Sequence, residues 1–241
     1  MEVSLKPSLV AYYQVSRNAA YVALHPQRKE PIGTEWQKNP ISAERALDQH
    51  ENLQHNIGLI NGEVSGIVDV DLDCSEAAQL ASVFLPHPIA MFGRGGNNRG
   101  HWLFRCNNSG KTKQFNCPDT GATLVELRSN GSQTMIPPSV HPTGARLEFT
   151  SISDSAPSVD FVALQSAIGL LAASSFVAQN WKSGSRHNLS LGFSGLLLKT
   201  GVKADLIEEI VENICLLAQD EEIQDRINTV CTSASKQAHE L

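Results

Sequence analysis

The stretch IVDVDLD, residues 67–73, places three carboxylates at alternating positions: Asp69, Asp71 and Asp73. A strand repeats every two residues, so the three share a face with Ile67, while Val68, Val70 and Leu72 occupy the other. Like charges at this spacing repel and raise one another's pKa, which a fold relieves by supplying a cation. Carboxylate oxygens suit Mg2+ or Mn2+, ions that keep coordination positions open for phosphate oxygens. Asp71 and Asp73, the last two acids of the strand beside a helix start at Ser75, are the expected ligands. Asp69 lies further back, where the strand is expected to be more deeply buried, and ranks below them. The alternative is a half-exposed strand with a solvated acidic face.

Two further stretches suit phosphate chemistry. In GRGGNNRGHWLFR the glycines let backbone N–H groups approach an anion, Arg94 and Arg99 add charge, and His101 can donate to a phosphate oxygen. The strand WLF that follows anchors the histidine. A flexible hairpin loop with solvated arginines and a satisfied strand histidine is the other reading. In LVELRSNGSQTMIPPSVHPTG, Glu126 alternates with Val125 and Leu127 and shares its strand face with Arg128. It is either a third metal ligand beside a triphosphate-binding cation or half of an intra-strand ion pair, worth under about 1 kcal/mol if exposed. The PPS turn, which ends in Ser139, and His141 form a stiff loop that lines a pocket or serves only as a turn.

The elements that must position these groups are mostly strands. Residues 8–24 mix helical and strand signals and end in YVALHP. Ser42 caps a helix with Glu44 in its first turn. NIGLINGEVSGIVDVDLD reads as two strands of a β-hairpin around NGEVSG, and SEAAQLASVFL as a helix with Ser75 as N-cap. IAMFGRGGNNRGHWLFRC is strand, Gly-rich loop, strand; TLVELRS, QTMIPPSV and RLEFTSI are strands. This is an α+β pattern. After Pro157 the apolar spacing becomes helical through VDFVALQSAIGLLAASSFVAQNW, NLSLGFSGLLLKTG stopped by Gly201, ADLIEEIVENICLLAQ with an acidic outer face, and EEIQDRINTVCTSASKQ.

The net charge of −6 speaks against a protein coated in positive charge for nucleic acid, yet charge is segregated along the chain. Residues 94–128 hold six bases and two acids, residues 182–203 four bases and no acid, and residues 205–225 eight acids and no base. The basic run 182–203 either touches nucleic-acid phosphates or is a solvated helix end. Five scattered cysteines without a C-x-x-C pair read as free thiols of a reducing compartment. With no basic-then-apolar leader and no apolar run near the roughly 18 residues that span a bilayer, a cytoplasmic protein without membrane contact is expected.

The order of acid pair, Gly-rich stretch with histidine, and acid with arginine resembles the archaeo-eukaryotic primase superfamily. More narrowly it resembles the primase-polymerase (Prim-Pol) domains of plasmid, phage and integrated-element replication proteins. The words that carry it are SGIVDVDLD, FGRGGNNRGHWLFR and VELRSNGSQTMIPPSVHPTG over residues 65–144, with WQKNPIS and NIGLINGE ahead and GSRHNLSL behind. The resemblance implies an α/β module joined to an RRM-like sheet over residues 1–160, with the active site in the cleft between them, and a small helical bundle over residues 161–241. It implies that Asp71 and Asp73 bind two divalent ions, Mg2+ or Mn2+, that Glu126 completes the triad, and that His101 contacts the incoming nucleotide's phosphates. Arg94, Arg99, Arg128 and Ser139 are its further candidate nucleotide contacts; Arg99 stands where relatives often carry serine.

The implied activity is two-metal nucleotidyl transfer from dNTP or NTP, making and extending primers on a single-stranded DNA template during mobile-element replication. Template, primer and a helicase, separate or in a longer chain, are the implied partners; these residues contain no Walker A sequence. Two rival readings stand beside it: a non-catalytic DNA-binding module for replication initiation, and a metal-dependent nuclease using the same carboxylates.

Overall fold

The computed structural model describes residues 11–13, 16 and 18–239, with side chains as far as Thr232. Part of the mixed signal read over residues 8–24 therefore lies outside the described residues. Among the described residues ten strands form two sheets. A small one has the order β1 (Tyr21–Leu24), β2 (Asn56–Ile60), β8 (Gln133–Ile136). The large one runs β6 (Lys113–Asn116), β7 (Thr123–Arg128), β3 (Ile67–Leu72), β5 (Asn97–Asn107), β4 (Ala90–Arg94), β9 (Glu148–Ile152), with β10 (Val159–Asp160) pairing parallel to β5. The α+β reading holds.

Strand alternation divides the interior in two. Val68, Val70 and Leu72 of β3, Trp102 and Phe104 of β5, and Val125 and Leu127 of β7 pack against helices α2 (Ser75–Phe84) and α3 (Phe161–Gln179). Ile67, Phe92 and Leu103 turn to the other side and meet Ile57, Leu59 and Met135 of the small sheet. Helix α1 (Ala43–Leu53) closes this second core through Ala43 and Ala46, and Ser42 caps it, its hydroxyl accepting from the Arg45 N–H at 3.3 Å. The face of β3 that carries the aspartates is thus enclosed between two sheets: Asp69 is fully buried and Asp71 nearly so. That removes the reading of a solvated acidic face for Asp69 and Asp71, while Asp73 at the strand end is exposed.

Three expectations are corrected. β2 and β3 form no hairpin; beyond a lone bridge from Gly62 to Ile67 they separate into different sheets. β2 is committed to the small sheet because its Gly58 sits where a Cβ would lie 2.6 Å from Gln133, 2.8 Å from Val22 and 3.1 Å from Leu24, while β3 has both edges taken by β5 and β7. Helix α2 is capped by Cys74, without a side-chain bond, and Ser75 is already helical. The Asp73 N–H donates to the Leu124 carbonyl at 3.0 Å, which keeps the chain extended through residue 73 and leaves one residue for the turn. Finally, α3 is 19 residues long, long and apolar enough to cross a membrane by length and composition. Its interspersed Ser, Gly and Gln residues disguise the run, and Leu164, Ile168 and Leu171 are buried in the core.

The helices α4 (Arg186–Lys199), α5 (Ala204–Leu217) and α6 (Ile223–His239) follow. Phe193, Leu197, Ile207, Ile210, Val211 and Ile214 join the core that also holds α2, α3 and the sheet, so this helical stretch and the sheet are packed as one body.

Candidate active site

β3 is the middle of three antiparallel strands, and its register sets the site. Asp71 stands opposite Glu126 on β7 and opposite His101 on β5, while Asp69 stands opposite Arg128. Directly opposed residues in a sheet have Cβ atoms about 4.5–5.5 Å apart, so groups 55 positions apart in the chain become neighbours. Asp73 follows at the strand end, and ligand oxygens of Asp71, Asp73 and Glu126 all lie within 4.8 Å of one another.

Behind this row runs a buried hydrogen-bond relay. The Asn61 side-chain N–H donates to Thr134 Oγ1 (3.0 Å), Thr134 donates to Asp69 Oδ2 (2.7 Å), and His101 Nδ1 donates to the same oxygen (3.0 Å). Phe92 stacks on the imidazole, ring centroids 4.6 Å apart and planes within 10°. The ring is held at one edge and one face, and Nε2 is left as the edge for a ligand, because His101 also lines the cleft. Burial alone would raise the Asp69 carboxyl; His101, Arg128 and Thr134 outweigh it and hold it below the ordinary value. Burial would likewise lower His101, but Asp69 and Asp71 raise it.

Arg128 spans two acids, its Nε donating to Glu126 Oε2 at 2.7 Å and its Nη2 pairing with Asp71 Oδ2. Gln114 donates to Glu126 Oε1 at 3.1 Å. For Asp71 and Asp73 this positive charge is not enough. Burial and the neighbouring carboxylates raise both, Asp73 to about 6, against the lowering effect of Arg128 and His101. Asp73 accepts no hydrogen bond from the described residues. Four carboxylates facing one guanidinium and one imidazole, with oxygens clustered and one acid unpartnered, fit a divalent cation.

The cleft in front of these groups measures about 300 Å³. Its lining joins Asp71, Asp73, His101 and Arg128 to a second, basic set: the cations Lys29 and Arg94 and the imidazole of His141. His141 lies below its ordinary pKa, from burial first and then from Arg94, Lys29 and His101. The cleft therefore grades from acid-rich to base-rich, with His101 felt by both ends. The tip of the β4–β5 hairpin forms part of the wall. Arg94 pairs with Asn97 across a two-residue turn in which Gly95 adopts φ 51°, and Gly93 lies where a Cβ would be 2.1 Å from the Asn97 carbonyl. Asn97 Nδ2 donates to the Leu72 carbonyl at 3.3 Å, which fixes the tip to the end of β3.

Of the residues singled out in the sequence, Asp71, Asp73, His101, Arg94 and Arg128 line this cleft, and Glu126 adjoins it through Arg128 and Asp71. The structure does not bring Arg99 or Ser139 to the lining. Arg99 is exposed and its carbonyl accepts from Trp102 Nε1 at 3.1 Å. Ser139 is fully buried, its hydroxyl accepting from the Ile57 N–H at 2.8 Å and donating to the Ile57 carbonyl at 3.3 Å. Sequence reasoning passed over Lys29, Thr134 and Asn61. Lys29 reaches the cleft because Asn56 donates to the Arg28 carbonyl and Gln133 to the Lys29 carbonyl, pinning the 25–31 turn against β2 and β8.

A search of curated proteins found no match to this chain. The family model described as "Bifunctional DNA primase/polymerase, N-terminal" matches residues 11–159, the span that carries both sheets and every residue named around the cleft. An acidic trio beside a base-rich cleft is the chemistry a metal-dependent, nucleotide-binding enzyme needs, and the chain belongs to the Prim-Pol family, with a primase/polymerase-type role in replication.

Proposed function

We propose that the protein is a DNA primase/polymerase that joins nucleotides by two-metal phosphoryl transfer on a single-stranded DNA template, in the replication of a plasmid, phage or integrated element. The observation that carries the proposal is the convergence of Asp71, Asp73 and Glu126 beside a cleft lined by Lys29, Arg94 and His141. Residues 1–160 form the catalytic domain and residues 161–241 the helical module in this reading. Asp71, Asp73 and Glu126 hold the divalent ions, Mg2+ or Mn2+, which supply Lewis acidity toward the attacking hydroxyl and offset charge on the leaving pyrophosphate.

The protein's own groups do the rest. His101, oriented by Asp69 and Phe92, presents Nε2 to a phosphate of the incoming dNTP or NTP. Arg94 and Lys29 receive the remaining triphosphate charge, and His141 supplies a ring N–H to the same phosphates. Arg128 holds Asp71 and Glu126 side by side, which fixes two ligands in one geometry before substrate arrives. Template and primer are single-stranded DNA and its paired strand; the helicase that exposes them is a separate protein or a further part of a longer chain. The protein works in the cytoplasm, and α3 serves as a core helix there.

The experiment is nucleotide incorporation on single-stranded DNA with labelled dNTPs and NTPs offered separately, for the wild type and for Asp71→Asn and Asp73→Asn. Incorporation by the wild type, reduced at least about 100-fold in each variant, is the expected result. Full activity in either variant would remove that carboxylate from the reaction. DNA breakdown without nucleotides would favour a nuclease, and DNA binding without any synthesis a replication-initiation module.

A further inference from the structure

A second cavity of about 180 Å³ lies between β1, the segment 32–41 and α1, and shares no lining residue with the active-site cleft. Val22, Ile32 and Ile41 give it an apolar wall, and Trp36, itself half-buried against the core, lines it too. Two polar atoms face it. Gln49 Oε1 and His55 Nδ1 are buried and have no hydrogen-bond partner, although both residues line the cavity. Buried polar atoms in folded proteins are nearly always paired, with protein or with ordered water, so two orphans around one void call for an occupant that bonds them. Their frame is rigid: His50 Nδ1 bonds the His55 carbonyl at 2.6 Å and the His55 N–H donates to the Gln49 carbonyl at 3.3 Å.

Size and chemistry narrow the ligand. The volume is several times the roughly 30 Å³ of one water, enough for a single planar ring system. An aliphatic floor and an indole suit a flat aromatic, and an amide oxygen without a donor calls for an N–H on that ring's edge, as the amino-bearing bases present. Position adds to this. Lys29 lines the catalytic cleft and Ile32 lines the cavity, and three residues span at most about 11 Å. The Ile32 N–H donates to the Ala23 carbonyl at 2.9 Å, so one short hairpin joins the two sites.

We infer that this cavity takes one nucleobase of the single-stranded template, stacked on Trp36 and bonded through an N–H to Gln49 Oε1, which places a template anchor beside the proposed primer-synthesis site and rests on that reading. The test uses the full chain with EDTA present and a fluorescein-labelled oligo(dC) of about twelve nucleotides, a length spanning one single-strand site, read by anisotropy. Trp36→Ala is expected to weaken binding roughly 5- to 100-fold, and Trp36→Phe to recover most of it. Gln49→Leu is expected to weaken binding while raising the melting temperature, since it deletes an orphaned acceptor; a merely structural glutamine would not separate the two readouts. An abasic oligomer of the same length should not distinguish Trp36→Ala from wild type.

Folded Trp36→Ala and Gln49→Leu proteins that bind oligo(dC) like the wild type would overturn the inference and leave water as the cavity's occupant. Trp36-dependent binding of free dCMP with unchanged oligo(dC) affinity would likewise overturn it, assigning the base to a mononucleotide. The two proposals fail separately. Asp71→Asn should keep oligo(dC) affinity whether or not it loses synthesis, so an inactive Asp71→Asn beside an unaffected Trp36→Ala sinks only the template anchor.

Discussion

Asp220 and the Asp71–Asp73 pair are both acids in or beside a packed interior, and their surroundings push them in opposite directions. Asp220 sits between α5 and α6 with both oxygens occupied: Trp181 Nε1 (2.9 Å) and Arg226 Nε (3.2 Å) donate to Oδ2, Arg186 Nη1 (3.2 Å) and the Glu222 N–H (3.1 Å) to Oδ1. Burial would raise this carboxyl, yet Trp181, the Glu222 N–H and Arg226 hold it below its ordinary value. Asp71 and Asp73 have Arg128 and His101 nearby and are raised all the same. Burial of charge therefore does not by itself mark function. A satisfied carboxylate holds a fold together, whereas an under-compensated cluster holds a place for a cation.

The contrast breaks most visibly at the helical hub. Asp220→Asn keeps the shape but leaves Arg226, which is 6% exposed, with the exposed Glu222 as its remaining charged partner and a neutral amide on its buried side. Removing one member of a buried ion pair costs about 3–5 kcal/mol, and a melting temperature lower by roughly ten degrees is expected. Thermal unfolding followed by circular dichroism measures it. A shift of only a degree or two would mean that the hub is no more structural than the acid cluster.

At the cluster the expected sign reverses once a cation is supplied. Mg2+ or Mn2+ at about a hundred times its dissociation constant should stabilise the wild type by about 2.7 kcal/mol. Asp71→Asn and Asp73→Asn should lose most of that gain, whereas Asp220→Asn should retain it in full on its lower baseline. Melting curves with and without the ion, in the absence of nucleotide and DNA, decide the point. Equal gains in the wild type and both cluster variants would place the cation elsewhere.

The two regions also differ in how much of them could be read in advance. The period-two spacing of Asp69, Asp71 and Asp73 put all three on one face, and the apolar spacing after Pro157 announced α3 to α6. Which strands flank β3 was not written locally: Glu126 reaches Asp71 only because the order is β7-β3-β5, a pairing across distant segments that no short window encodes. The same limit hid the separation of β2 from β3 and the arrival of Lys29 at the cleft, both consequences of the small sheet. Arg94 and Arg99 looked equivalent until the hairpin closed to a two-residue turn, leaving one beside the cleft and the other in solvent. Ser139 read as a polar group in a phosphate-like motif, yet its hydroxyl serves the backbone of Ile57. Asp220 stood out least of all, as one acid among eight between residues 205 and 225, because its partners come from both sides of α4 and α5.

The smallest effect tests the idea of missing positive charge most directly. Asp73 titrates near 6 in the folded protein against an ordinary 3.8, so between those values the folded state binds the proton more tightly than the unfolded one. Its contribution to stability is present in full below about pH 4 and is lost as pH rises through 6. Asp220 has the opposite linkage: its folded pKa is depressed, so its contribution is present above the unfolded pKa and disappears as pH falls through the folded one. In cation-free buffer Asp73→Asn should therefore be slightly more stable than wild type at pH 7, by less than about 1 kcal/mol given the partial exposure of the group, and the gap should close by pH 4. Subtracting the two curves cancels Asp71, Glu126, His101 and Arg128 to the extent that their own titrations are unchanged. Parallel curves from pH 4 to 7 would show that Arg128 and His101 already neutralise the cluster, and the case for a resident cation would then rest on oxygen geometry alone.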